Sequence, residues 1–152
     1  HESQAELDER RDFYDRVEPI RLKAGRMMGL GDVSQSVTPK ITLLAAPRHG
    51  GTIAARYFMP WSCHPSMAVT GAQCIAACAI TPGTVADGLV DSAARGPSPV
   101  NIGIEHATGT FDVLVDFRRD GDAVAIRSAG VVRTARLLAR GEVLIPATIW
   151  TR

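Results

Sequence analysis

The feature that most constrains this chain is an apolar segment rich in small residues, Met67 to Ile80. Its alanines and glycine allow neighbouring elements to approach closely from all sides. A helix that is apolar all round is buried, so we expect a helix enclosed by the rest of the fold. The polar, turn-forming run CHPSMAVTGA, which begins at Cys63, leads directly into this helix.

Length and composition are typical of one globular domain. The 152 residues are 45% hydrophobic and 22% charged, and the net charge of +1 comes with arginine spread along the chain. This distribution argues against a nucleic-acid-binding or membrane-surface protein. No apolar run is long enough to cross a bilayer, and the charged opening segment HESQAELDERRDFYDR has no secretory pattern, so we expect a cytoplasmic protein.

Two helices are predicted before the central segment. The capping box Ser3-x-x-Glu6 opens a helix through about Arg16, which Pro19 interrupts or restarts. The second helix lies in PIRLKAGRMMGLGD and ends at its glycines. Its apolar residues form one stripe: Ile20, Ala24, Met27 and Met28. These helices either cover the core of this chain or pack against another part of the protein.

About six strands are predicted around the central helix. KITLLAA and TIAARYFM are joined by the hairpin connection PRHGG. VNIGIEH, TFDVLVDF, AVAIRSAGVVRTARLLA and EVLIP follow the helix and are separated by turn signals. The sum is an α+β half-barrel, mostly antiparallel, wrapped around the buried helix. We divide the chain into a helical segment with a linker, residues 1–38, and a domain, residues 39–152.

The three cysteines predict neither a disulfide framework nor a metal site. Cys63, Cys74 and Cys78 are an odd set, so they cannot all pair within the chain. Cys74 and Cys78 lie four residues apart in the apolar segment and are interpreted as small buried hydrophobes. A metal site would add His64, but the spacing matches no common zinc motif.

The run before the central helix has the residue types that bind an anion. A helix N-terminus leaves about four backbone N–H groups unpaired and carries roughly half a positive charge. Small and hydroxyl residues there allow an anion to reach the amides: Ser66, Thr70, Gly71 and Ala72. His64 could donate a hydrogen bond to a carboxylate or move a proton. The alternative is an ordinary turn with Pro65 at the first helical position.

Two further segments place polar side chains near strand ends. EHATGTF puts His106 at the end of a strand, where site residues are frequent; a solvated turn is the alternative. In VVRTAR, strand alternation puts Arg133 and Arg136 on opposite faces. An arginine among apolar residues pairs well with a carboxylate, whereas an internal salt bridge or a solvated side chain is the alternative. Arg56 in AARYF is interpreted in the same way.

Four segments together resemble the C-terminal half of the PrpF family, which has the diaminopimelate epimerase-like fold. They are VEPIRLKAGRMMGL, AARYFMPWSCHPSMAVTGAQCIAACAITPGTV, IEHATG and GVVRTARLLARGEVLIP, in this order. The resemblance implies two similar half-barrels with the active site between them, and central helices that point their N-termini at substrate carboxylates. It also implies isomerisation or tautomerisation of small unsaturated polycarboxylates without a metal or organic cofactor.

The resemblance implies roles for particular residues. His64 is the candidate catalytic residue. The candidate substrate-binding residues are Ser66, Thr70, Gly71, Ala72, His106, Gly109 and Arg133. Two departures from related patterns stand out: HATG replaces an HPSG-like turn, and Ala68 and Val69 occupy the region where epimerases of this fold carry a catalytic cysteine. The family's first half, with its proposed catalytic lysine, lies outside this sequence.

The leading hypothesis is an isomerase or tautomerase, or its C-terminal domain, that shifts a proton and a double bond in a small di- or tricarboxylate. This half would hold carboxylates and stabilise the developing negative charge, while the other half supplies the base. A racemase or epimerase of the same fold is one alternative. Another is an inactive half-domain that binds a carboxylate, or pairs with another chain or a second copy; an exposed apolar face would favour the pairing.

Overall fold

The computed structural model describes residues 1–90 and 92–150 of the chain. Two helices come first, followed by a hairpin, a third helix, a short 3-10 helix and three more strands. In chain order these elements are α1 Gln4–Asp8, α2 Arg11–Met27, β1 Ile41–Ala45, β2 Ile53–Phe58, α3 Val69–Ile80, the 3-10 helix Ser92–Arg95, β3 Val100–His106, β4 Gly109–Asp120 and β5 Ala123–Val131.

The five strands form one sheet in the order β1-β2-β3-β4-β5. The β1–β2, β3–β4 and β4–β5 pairs are antiparallel, which confirms the predicted hairpin across PRHGG. β2 and β3 are parallel and pair only at Ile53 with Ile104 and at Ala54 with Glu105. This short parallel contact brings the start of β2 next to the end of β3, where the predicted His106 lies.

The core forms where α3 packs on β3, β4 and β5. Along β4, every second side chain from Phe111 to Phe117 is buried, because successive side chains of a strand point to opposite faces. The helix meets them with mostly small side chains, which let its backbone approach the sheet. The buried helix residues are Gly71, Ala72, Ile75, Ala76, Ala79 and Ile80.

The expectation that α3 is buried all round is wrong for one face. Val69 is 49% exposed, and the side chains of Thr70 and Cys74 are also exposed. The sheet covers the opposite side of the helix, so this face borders an open groove. Cys74 is therefore not a buried hydrophobe as predicted, whereas Cys63 is fully buried and Cys78 is half-buried.

The first helix has the predicted capping box but ends early, at Asp8 rather than near Arg16. Tertiary contacts account for the break. The Asp8 carboxylate accepts hydrogen bonds from the backbone N–H of Cys63 at 2.6 Å and from the hydroxyl of Tyr14 at 3.1 Å. Leu7 packs beside Phe58 in the same place. These contacts fix the end of α1 on the domain, and α2 begins in a new direction.

Pro19 lies inside α2 and does not interrupt it, contrary to the prediction. Proline lacks a backbone N–H, and a buried side chain, Arg21, anchors the helix two residues later. The Arg21 guanidinium donates to both carboxylate oxygens of Glu18 and to the carbonyls of Val33 and Ser36, at 2.7–2.9 Å. The helix is thereby held against the linker that follows it.

The apolar stripe of α2 does not cover the core of the described chain. Ile20 is 64% exposed, Met27 79% and Met28 62%. The helix ends at Met27, and Gly29 then adopts a positive φ of 75°, in agreement with the predicted glycine stop. Of the two predicted roles for the opening helices, the exposed stripe favours packing against another part of the protein.

The predicted strand AVAIRSAGVVRTARLLA is confirmed over its first part, as β5, whereas its second part and the predicted strand EVLIP are wrong. β5 ends at Val131, and no strand is present from residue 132 to 150. The last ladder bond is donated by the Val132 N–H to the Asp112 carbonyl. Beyond it the backbone has no neighbouring strand in the described chain, and a strand needs such a partner for its N–H and C=O groups. The large apolar side chains there remain exposed, with Leu144 at 91%.

No helix within residues 1–90 and 92–150 combines the length and the apolar character required to cross a bilayer.

Candidate functional site

The N-terminus of α3 is not capped by any side chain of the described residues. Its N-cap is Ala68, and the first turn contains no acidic residue. The Ala72 N–H donates to the Ala68 carbonyl at 2.8 Å, so the amides before Ala72 have no intrahelical acceptor. The positive end of the helix dipole is therefore available to an anion. The alternative with Pro65 at the first helical position is wrong, since the helix begins at Val69.

His64 lies in the loop between β2 and α3, and the backbone fixes its ring. Its N–H donates to the Tyr57 carbonyl at 2.7 Å, which ties the loop to β2. The Ser66 N–H donates to His64 Nδ1 at 3.0 Å. A ring nitrogen that accepts a hydrogen bond carries no proton, so the neutral ring is protonated on Nε2. The Nε2–H of His64 is thus the ring's hydrogen-bond donor for a ligand.

His106 reaches the same loop from the end of β3. Its Nδ1 accepts the Thr108 N–H at 3.3 Å, so its neutral form is also protonated on Nε2. Nε2 lies 3.2 Å from Ser66 Oγ, and the hydroxyl of Thr108 donates to the Pro65 carbonyl at 2.9 Å. His106 is paired across the turn with Gly109, where β4 begins. Ser66 therefore accepts from His106 and keeps its own hydroxyl proton for a ligand.

His106 is held in its neutral form. Burial lowers the pKa of the imidazole below its ordinary value near 6.5, and the positive charge of Arg56 and the nearby His64 lower it further. The uncharged ring retains the lone pair on Nδ1 that the Thr108 amide needs. The pKa shift and the hydrogen-bond pattern therefore favour the same tautomer.

Glu105 holds the hairpin loop next to His106. Its buried carboxylate accepts the backbone N–H groups of Arg48, His49 and Gly51 at 2.6–2.9 Å. Burial raises the pKa of this carboxyl, but the three amides and the positive charge of His49 together lower it by more, so the pKa lies below the ordinary value. The loop and the β3–β4 turn border a polar cavity of about 280 Å³, lined in part by His49, Arg56, Glu105 and His106.

The predicted positions in the first turn of α3 lie in different surroundings. Thr70 is exposed and lines the open groove, a cavity of about 520 Å³ shared with Tyr57 and Cys74. Gly71 is buried beneath the Tyr57 ring, which would overlap a Cβ atom at this position. Ala72 is fully buried. The small size of Gly71 is thus required for packing, whether or not its amide also meets a ligand.

Arg133 and Arg136 do not join His64, Ser66 and His106, whereas Arg56 lies close to His106. Arg133 lies outside β5, so its predicted placement on a strand face opposite Arg136 is wrong. Its guanidinium lies over the ring of Phe111, 5.3 Å from the centroid, and the side chain is exposed. Arg136 is also exposed. Arg56 donates from Nε to the Glu2 carbonyl at 2.7 Å and lines the polar cavity.

Sequence reasoning missed two residues that organise this site, Thr108 and Glu105. Thr108 follows His106 by two residues, a spacing typical of local side-chain-to-backbone bonds, and this was its only signal. Glu105 had no local signal, because its partners lie more than fifty positions earlier in the chain. Within the described residues, no three His, Cys, Asp or Glu side chains form a group that could hold a metal ion.

Comparison with known proteins gives close relatives of this chain. The family model described as PrpF protein matches residues 1–146. YbhH of Escherichia coli (strain K12) is 44% identical over 146 residues, which cover 96% of this chain and 40% of YbhH. The 4-oxalomesaconate tautomerase of Pseudomonas putida is 42% identical over 135 residues, covering 89% of this chain and 36% of the tautomerase.

The crystal structure of a methylitaconate-delta-isomerase has the same fold, with a TM-score of 0.69 at 20% identity. The match covers 87% of this chain and 39% of that structure, and it confirms the expected α+β half-barrel of the diaminopimelate epimerase-like fold. The chain spans about 40% of the length of the curated relatives that it matches. Because the family model covers nearly the whole sequence, the chain belongs to the PrpF family.

Proposed function

We propose that this chain is the C-terminal part of an isomerase or tautomerase that shifts a proton and a double bond in a small unsaturated di- or tricarboxylate. The uncapped N-terminus of α3, next to the donors of His64 and Ser66, is the observation that carries the proposal. A relative named 4-oxalomesaconate tautomerase supports the substrate class. We also propose a cytoplasmic location and a reaction that needs no cofactor.

The donors fit the charge that such a reaction develops. Removal of an allylic proton next to a carboxylate leaves a negative charge that spreads onto the carboxylate oxygens. Donors held in place before the reaction stabilise this charge without reorganisation. The backbone amides of α3, the Nε2–H of His64 and the Ser66 hydroxyl are donors of this kind.

The base that accepts the substrate proton is proposed to lie outside this chain. Nδ1 of His64 and Nδ1 of His106 each accept a backbone N–H, so neither lone pair is free. The part of the relatives that this chain does not match is the proposed source of the base. His64 then acts as a hydrogen-bond donor to the developing anion.

A second candidate function is a half-domain that binds a carboxylate without turning it over, or that pairs with another chain or a second copy. The apolar side chains exposed on α2 and after β5 favour such pairing, since Met27 is 79% and Leu144 91% exposed. The epimerase alternative is disfavoured, because Ala68 and Val69 occupy the region where epimerases of the fold carry a cysteine.

The test is to replace His64 in the intact gene product that contains this chain. Turnover of 4-oxalomesaconate is followed by ultraviolet absorbance in the wild type, His64→Ala and His64→Asn, with circular dichroism to check folding. Loss of one donor to a developing oxyanion is expected to lower kcat about 100-fold or more in His64→Ala. His64→Asn keeps an N–H donor and is expected to lose less.

The outcomes separate the two candidate functions. A folded His64→Ala variant with wild-type kcat would refute the role of His64. A folded wild-type protein that converts no unsaturated tricarboxylate, yet binds one in calorimetry, would favour the inactive half-domain.

A further inference from the structure

The turn between β3 and β4 carries a hydroxyl group that links both loops of the candidate site. Thr108 Oγ1 donates to the Pro65 carbonyl at 2.9 Å and lies 3.3 Å from His106 Nδ1. The backbone N–H of Thr108 donates to the same Nδ1 at 3.3 Å. The Thr108 side chain is thus the direct connection between this turn and the backbone of the loop that carries His64 and Ser66.

We propose that Thr108 is a positioning residue for the proposed isomerase reaction, whose hydroxyl holds the loop that carries Ser66 in place against His106 Nε2. The inference rests on the proposed function and adds a residue to its site. Thr108 acts through Ser66 and His106 and does not itself touch the substrate.

The hydrogen-bond balance around His106 supports this role. A threonine hydroxyl has one proton, and the Pro65 carbonyl accepts it. Oγ1 therefore has no proton to donate to His106 Nδ1, and the Thr108 backbone N–H sets the tautomer of the ring. Nδ1 accepts the Thr108 N–H, Nε2–H donates to Ser66 Oγ, and the Ser66 hydroxyl keeps its proton. The chain of donors ends at Ser66 and points to an acceptor outside the protein, such as a carboxylate.

The charged groups around His106 keep its ring neutral, so that Nδ1 remains an acceptor and Nε2–H a donor. Arg56 on β2 and His64 in the preceding loop both disfavour a second proton on the ring. His49 lines the same polar cavity. Glu105, the neighbouring residue on β3, directs its carboxylate to the hairpin-loop amides. Threonine, serine and valine are all uncharged, so a substitution among them at Thr108 leaves these charges unchanged.

The exposure of Thr108 makes the proposal testable by substitution. Thr108→Val keeps the shape but removes the hydroxyl, whereas Thr108→Ser keeps the hydroxyl and removes a methyl group. Neither change touches the core, so the melting temperature is expected to stay close to that of the wild type. If Thr108 contributed only to overall stability, these two substitutions would change neither the histidine signals nor the kinetics of the folded protein.

The first measurement is nitrogen NMR of the histidine rings in this chain. The Nε2 signal of His106 is expected to be the same in the wild type and in Thr108→Ser, and to shift in Thr108→Val, because the Ser66 hydroxyl that accepts from Nε2–H is no longer held in place. Wild-type ring signals for His106 in Thr108→Val would overturn the proposal, whatever the kinetic result.

The second measurement is steady-state kinetics of the intact gene product with 4-oxalomesaconate. Loss of one net hydrogen bond is expected to lower kcat about 3- to 10-fold in Thr108→Val, with a smaller change in KM and recovery in Thr108→Ser. Equal loss in both variants would point to a steric effect and overturn the proposal. A wild type without turnover refutes the proposed function instead, and the NMR result then decides the positioning role by itself.

Discussion

The buried carboxylate of Glu105 offers a direct test of how the site loops are held. Glu105→Gln keeps the shape but replaces one acceptor oxygen with an NH₂ group. Two of the three bound amides meet one oxygen and the third meets the other, so at least one N–H then faces a donor. A hydrogen bond to a charged group contributes about 1.5–3 kcal/mol, so we expect the free energy of unfolding to fall by about 2–3 kcal/mol.

The assay is urea unfolding at pH 7 followed by circular dichroism, with Glu142→Gln as a matched control. Glu142 is exposed, so the same chemical change there is expected to alter the unfolding free energy by less than about 0.5 kcal/mol. In a thermal scan, the Glu105→Gln loss corresponds to a melting temperature lower by about 4–12 °C for a chain of this size. Equal stability of Glu105→Gln and the control would refute the buried-anchor interpretation.

The pH dependence gives a second, independent check on Glu105. Its pKa is lower in the folded protein than the ordinary value of 4.5, so the carboxylate's contribution is fully present above that pH. The contribution is lost as the pH falls through the folded pKa, because the protonated carboxyl accepts the three amides less well. Glutamine does not titrate, so the stability difference between wild type and Glu105→Gln is expected to shrink below about pH 4.5. A difference that stays constant down to pH 2 would contradict the lowered pKa.

Two further predictions concern α3. Gly71→Ala forces the Tyr57 ring to move and is expected to cost about 1–3 kcal/mol in urea unfolding, whereas Gly130→Ala, where the nearest atom lies 4.0 Å from the added carbon, is the neutral control. Cys74 is exposed and is expected to react with a thiol reagent in the native protein. Cys63 is fully buried, and burial raises the pKa of its thiol, so it is expected to react only on unfolding. Cys78 is half-buried, so a fast phase that survives in the double variant Cys74→Ser and Cys78→Ser would contradict this assignment.

Local sequence signals predicted most elements of the fold but not their surroundings. The small apolar residues of α3 identified the helix, and the segment TFDVLVDF, bounded by turn signals, identified a strand that forms part of β4. Cys74 is exposed because the sheet covers only the opposite side of α3, and the residues of the helix itself do not indicate which side the sheet will cover. The failure after Val131 has the same origin: alternating apolar residues indicate a preference for strand, but a strand forms only where a neighbour accepts its backbone groups.

The candidate site was predictable where the signal was a residue type and not where it was a distant contact. His64, Ser66 and His106 were identified from their own segments, and the structure brings these three together. Arg133 was also identified from its segment, but its predicted face depended on a strand that does not form there. Glu105 could not be identified, because its partners are backbone amides of a loop far away in sequence.

The two imidazoles show how local backbone geometry determines the chemistry of a site. In each case the amide two residues later donates to Nδ1: Ser66 to His64, and Thr108 to His106. A histidine whose Nδ1 is occupied in this way is a donor at Nε2 and a poor base. The Nε2–H of His64 and the Ser66 hydroxyl, which accepts from His106, come just before an uncapped helix N-terminus, and donors of this kind favour the binding of negative charge and not the removal of a proton. The same turn geometry, repeated at two separate loops, therefore divides the proposed reaction between this chain, which stabilises the anion, and a base contributed by other residues.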